Sequence, residues 1–112
     1  MKPEELSIGD LVLYREVPHK IHLTDFAHQM DENIFEKFEP IPLTTEILEK
    51  NDFYYCKIDN TYNVGEVEIY HNFCNHFSCN VCGTTVKPTY VHELQHVLRL
   101  VGLNKMADNF KV

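Results

Sequence analysis

The chain has no tryptophan, only 4 glycines and no cluster of lysine or arginine. Without Trp, Phe and Tyr must supply the large packing volumes of a core. So few glycines leave little room for a loop that cradles phosphate, and neither a G-x-S-x-G elbow nor an EF-hand loop is present. Lys plus Arg total 10 against 17 Asp plus Glu, a formal charge of −7. An acidic chain without a basic patch is badly placed to grip a phosphate backbone, so no nucleic-acid partner is expected. The charge suits solubility, or attraction to a basic protein partner. No apolar run is long enough to span a bilayer, so no membrane contact is expected. Met1-Lys2-Pro3-Glu4-Glu5 does not read as a signal peptide, which makes the cytoplasm the expected location. The four cysteines, Cys56, Cys74, Cys79 and Cys82, are then expected as reduced thiols or metal ligands, not disulfides.

What is present suffices for one domain. Apolar residues make up 44% of the 112 and aromatics 12%, enough for a core without disulfide staples. No repeat, low-complexity tract or linker divides the chain, so residues 1–112 read as a single domain. Ser7-Ile8-Gly9-Asp10 is a turn that launches a strand at Leu11-Val12-Leu13-Tyr14. Pro18 breaks it, and Lys20-Ile21-His22-Leu23 alternates as a second strand. Residues 24–39 are ambiguous, because Phe26, Met30, Ile34 and Phe38 allow helical turns while Asp25, Asp31 and Asn33 favour loop. Pro40-Ile41-Pro42-Leu43 must be extended. Thr44 or Thr45 caps a short helix over Thr45–Lys50 that ends at Asn51. Phe53–Ile58 is a strand, followed by turn-forming positions at Asp59-Asn60 and Asn63–Gly65.

Glu66 to Val81 alternates over a long stretch, with Val67, Ile69, Phe73, Phe77, Cys79 and Val81 on one parity. Half-buried antiparallel strands with a turn near Asn75 are expected, and Gly83–Val86 could extend them. Pro88 ends the run. Tyr90–Val101 is the one strong helix, stopped by Gly102. The fold class is therefore α+β. A meandering antiparallel sheet, with scope for a small SH3-like barrel at its N-terminal end, should be packed by the C-terminal helix.

That helix carries His92-Glu93-Leu94-Gln95-His96, an H-E-x-x-H match. Positions i and i+4 share a helix face, so His92 and His96 could reach one zinc ion while Glu93 served as general base. At roughly 100° per residue, Tyr90, Val91, Leu94, Val97, Leu98 and Val101 form an apolar arc. His92, Gln95, His96 and Arg99 form the opposite arc, with Glu93 and Leu100 at its border. The polar arc then points away from the helix's own core side. A zinc hydrolase needs a third protein ligand, and downstream of His96 only Asp108 is a candidate. His76 or Cys79 could serve from upstream. Arg99 also places a fixed cation one turn from His96. The bland reading is preferred, with Gln95, His96 and Arg99 facing a partner, no catalytic residue and no resident cofactor.

His71, Cys74, Cys79 and Cys82 form an H-x₂-C-x₄-C-x₂-C series, chemically adequate for structural zinc. Strand alternation opposes it, since Cys79 and Cys82 differ in parity and should point apart. Cys79 then faces inward as a small hydrophobe, and Cys56 is a strand residue. His19, His22 and His28 lie near Asp25 and could form a metal patch, but solvent-facing histidines are the simpler reading. Asp31, Glu32, Glu36 and Glu39 read as a solvated surface.

Leu6-Ser7-Ile8-Gly9-Asp10-Leu11-Val12, then Pro40 to Asn51 (P-I-P-L-T-T-E-I-L-E-K-N), then Tyr90 to Leu100 (Y-V-H-E-L-Q-H-V-L-R-L) occur in an order that resembles a known family. It is a family of small uncharacterised proteins from gut anaerobic bacteria and their phages and mobile elements. The resemblance covers most of the chain and implies no activity. It implies that Gln often stands at the position of Glu93 and Asn at that of His96, so relatives could not hold zinc there. It also implies Gly at the position of Asp52.

The function expected is that of a non-enzymatic module, of phage or mobile-element type, acting through a protein partner or self-association. A zinc hydrolase built on His92, Glu93 and His96 is the first alternative. A structural-zinc protein is the second, and mimicry of nucleic acid, supported by charge alone, is the third.

Overall fold

The computed structural model describes residues 1, 3–27, 34–71, 76–81 and 83–112. Within them, two antiparallel sheets and four α-helices make the expected α+β architecture. The N-terminal sheet holds β1 (Leu11–Tyr14), β2 (Val17–Lys20) and β3 (Phe38–Glu39) in the order β2-β1-β3. It is an open three-stranded sheet, not the SH3-like barrel for which the sequence left scope. Pro18 does not break the strand pair. It sits in β2 opposite Leu13, and β2 is an edge strand, where a missing N–H costs no ladder bond. The β1–β2 hairpin turns on two residues of positive φ, Arg15 at 52° and Glu16 at 66°. The ambiguous stretch resolves into α1 (Leu23–Ala27) and a 3-10 turn at Ile34–Lys37 leading into β3. Lys20 alone of the expected second strand is in β2, because Leu23 already opens α1.

Thr44 caps α2 (Thr45–Lys50), its Oγ1 accepting from Ile47 N at 3.3 Å. Asn51 follows as expected, but at φ −103°. The left-handed residue is Asp52, φ 61°, where the family resemblance implies glycine. The Asn51 side chain instead ties the C-terminus down, donating to Ile47 O (2.7 Å) and Lys111 O (2.8 Å) and accepting from Lys111 N (2.8 Å).

The second sheet is a five-stranded meander in sequence order. Its strands are β4 (Tyr54–Cys56), β5 (Thr61–Val64), β6 (Val67–His71), β7 (Phe77–Val81) and β8 (Thr84–Val86). The alternation over Glu66–Val81 gives β6 and β7, while the turn expected near Asn75 lies outside the described residues. Asn63 is not in a turn. Tyr62 pairs with Ile69 and Val64 with Val67, so β5 is a strand and the two-residue loop is Gly65-Glu66.

Tyr90 caps α3 (Val91–Leu100), which is followed by Gly102 at φ 83° and a short α4 (Asn104–Asp108). The extended segment expected from Pro40 to Leu43 clamps the entry to α3, with Val91 N donating to Ile41 O at 2.8 Å and Leu43 N to Thr89 O at 3.0 Å. Val91, Leu94, Val97 and Leu98 are buried with Val67, Ile69, Phe77 and Cys79 in the main core. Leu6, Val12, Ile21, Phe35 and Phe38 make a second core on the N-terminal sheet. No helix among the described residues is long and apolar enough to cross a membrane.

Candidate functional site

Most of the polar arc of α3 is turned away from solvent. It packs on the Ser7–Leu11 turn, which joins the two cores. Gln95 is 0% exposed and has three bonds across that junction. Its Oε1 accepts from Leu11 N (2.8 Å), and its Nε2 donates to Gly9 O and Ala107 O (both 2.9 Å). One amide therefore fastens the N-terminal turn and α4 to α3. The expectation that Gln95 faces a partner is corrected. The helical period marks a polar stripe, and this stripe is covered by another polar surface.

Asp10 is the second member of the junction, and its carboxylate is fully buried. Ser7 N donates to Oδ2 at 2.8 Å, His96 Nε2 meets Oδ2 at 2.6 Å, and Arg99 Nη1 donates to Oδ1 at 2.5 Å. Burial alone would raise its pKa, but the hydrogen bonds from His96, Arg99 and Ser7 outweigh that and hold it below the ordinary carboxylate value. Arg99 Nη2 lies 3.7 Å from Asp108 Oδ1, extending the network to α4. Gly9 is required here. Its φ is 95°, and a Cβ would come within 2.9 Å of Asp108 Oδ1 and 3.0 Å of Arg99 Nη2. His96 and Arg99 are thus turned largely inward, His96 keeping about 36% of its side chain exposed and Arg99 20%. The sequence reading missed Asp10, taking it only as a turn residue, because nothing local signals a partner 86 residues away.

His92 is only 6% exposed, against the expectation of a surface histidine. Its ring lies parallel to Tyr90 at 6.0 Å and edge-on to His96 at 5.8 Å. Burial lowers its pKa, outweighing the pull of Asp10 and Glu93, and so favours the neutral ring. Its Nδ1 is buried without a hydrogen-bond partner. Glu93 turns back on the helix start, Oε1 accepting from Tyr90 N (3.0 Å) and Thr89 N (3.1 Å). That is a capping role, which Gln can also fill at this position. His92, Glu93 and His96 line a cavity of about 530 Å³ together with Met1, Glu4, Glu5, Pro40 and Tyr90.

In this arrangement His96 and Glu93 are engaged within the chain. Zinc on His96 Nε2 would have to displace Asp10 and sit beside the Arg99 guanidinium. Glu93 is held by two backbone N–H groups, and Asp108, the downstream ligand candidate, faces Arg99. Among the described residues, no group of three His, Cys, Asp or Glu is placed to hold a metal ion.

Of the knuckle series, Cys74 and Cys82 lie outside the described residues. Cys79 is buried in β7 opposite Ile69 and Val86, and burial pushes its thiol pKa up to about 11. His71 stacks on Phe77 with centroids 4.9 Å apart. Cys56 is half-buried in β4. In the N-terminal patch, His19 Nε2 meets Asp25 Oδ2 at 3.0 Å, and the same oxygen accepts from His22 N at 2.8 Å. Asp25 is therefore bound at the start of α1, while His28, Asp31 and Glu32 lie outside the described residues. Comparison of the chain with protein-family models, curated proteins and solved structures finds no match.

Proposed function

We propose that the chain acts without catalysis, as a cytoplasmic protein–protein contact module of phage or mobile-element type. The observation that carries this reading is the uncovered apolar tip at the edge of the five-stranded sheet. β4 is an edge strand, and Tyr54 on it is 71% exposed and Ile58 just beyond it 93% exposed. An edge strand offers free backbone groups as well, the usual starting point for strand addition by a partner or a second copy. The H-E-x-x-H helix supports the same reading, because its polar residues already hold the fold together. The origin rests on the family resemblance.

The test is sedimentation of the purified protein over a wide concentration range, with Ile58→Lys and Tyr54→Ser beside it, followed by affinity capture from host lysate. Association or specific capture that the two substitutions abolish supports the module. A strict monomer that retains nothing, or retains the same proteins after both substitutions, contradicts it.

A further inference from the structure

The cavity beside α3 is distinct from the β4 tip, and its chemistry is uneven. Glu4, Glu5 and Glu93 contribute three carboxylates to a wall that also contains Met1 and Pro40. Glu4 and Glu5 are exposed. The Met1 ammonium is engaged inward, donating to Phe35 O at 2.7 Å and Phe38 O at 3.4 Å. His96 is bound to Asp10. The remaining wall is the parallel pair Tyr90 and His92, whose planes differ by 8°. His92 is more than nine-tenths buried, and its Nδ1 has no hydrogen-bond partner. A buried imidazole nitrogen left unpaired is costly, and the residue that carries it lines a cavity with an acidic mouth.

We propose that this cavity receives an arginine side chain of a basic protein partner. A guanidinium is planar, so it can lie against the half-buried Tyr90 ring, and its five donors can meet the carboxylates in a fork. Lysine offers a point charge and no flat face. The charge of −7 would draw such a partner in. The inference rests on the contact-module reading but concerns a different face.

The test is titration of N-acetyl-arginine amide into the full chain, followed by NMR of the Tyr90, His92 and His96 ring resonances, with N-acetyl-lysine amide and Zn²⁺ in parallel. Arginine amide should shift these resonances with a roughly millimolar Kd and lysine amide should bind several-fold more weakly. The Glu4→Gln, Glu5→Gln double variant should bind about tenfold more weakly, since each lost charge pair contributes a few-fold. Glu93→Gln keeps the helix cap and should also weaken binding. No shift, equal binding of lysine amide, or indifference to the Glu→Gln changes would overturn the inference. Zn²⁺ that shifts the same resonances and displaces arginine amide would overturn it in favour of a metal site. Failure here with the Ile58-dependent contact intact removes only the arginine cavity. Failure of the Ile58 and Tyr54 test with arginine binding intact removes only the β4 contact.

Discussion

Replacing Gln95 with alanine should be among the most damaging single changes in the chain. The substitution removes three hydrogen bonds and leaves Leu11 N–H and Gly9 C=O without their Gln95 partner, while Ala107 C=O still accepts from Phe110 N. Each orphaned buried group costs about 1–3 kcal/mol, and water entering the space recovers part of it. A loss of about 3–5 kcal/mol follows, comparable with truncating a buried leucine such as Leu94. Against a total of roughly 5–15 kcal/mol, that is a large share. The melting temperature should fall by about 12–20 °C, taking about 4 °C per kcal/mol for a domain of this size. Urea unfolding followed by circular dichroism is the assay. Gln95→Met separates the causes, because it refills the volume without the bonds and should remain nearly as unstable. Gln95→Glu should be at least as harmful, since it sets a carboxylate against two carbonyl oxygens. If Gln95→Ala or Gln95→Met lies within about 1 kcal/mol of the parent, the junction is not held as described.

Asp10→Asn leaves the mostly buried Arg99 charge with only Asp108, 3.7 Å away, and should cost about 3 kcal/mol, read from the same unfolding curves. His92 has a folded-state pKa below the ordinary 6.5, so between the two values only the unfolded chain takes up the proton. Its contribution is therefore complete above about pH 6.5 and lost as pH falls toward the folded value. Melting temperatures should drop between pH 7.5 and 5.5, and His92→Gln should flatten that slope. Asp10 works in the same direction lower down, its contribution disappearing as pH falls below the ordinary 3.8. Asp52→Gly relieves a positive φ at an exposed position and should raise stability by about 0.5–1 kcal/mol, checked by thermal unfolding.

Local patterns in the sequence were legible wherever one face of an element meets one environment. The parity of Val67, Ile69, Phe77 and Cys79 located β6, β7 and their buried face. The Thr44 cap and the Val91–Leu98 stripe located α2, α3 and the main core. The β1–β2 hairpin was hidden, because its turn uses Arg15 and Glu16 at positive φ where Asn or Gly would have marked it. Strand β5 was hidden by Asn60 and Asn63, which read as turn residues, although only Asn60 has positive φ. The largest revision concerns α3. A polar stripe looks the same whether water or another polar surface covers it. Only the distant partners Gly9 and Asp10 reveal that Gln95, His96 and Arg99 bind the chain to itself. The H-E-x-x-H spacing was real, yet spacing alone does not say which atom each side chain meets.

The zinc content of protein purified without added zinc decides whether the H-E-x-x-H residues serve the fold or a metal. Well under one zinc per chain is expected, unchanged in a His92→Ala, His96→Ala double variant. One zinc per chain that this double variant loses would contradict it and restore the hydrolase reading, whereas zinc lost instead in Cys79→Ser would restore the structural site around His71, Cys74, Cys79 and Cys82.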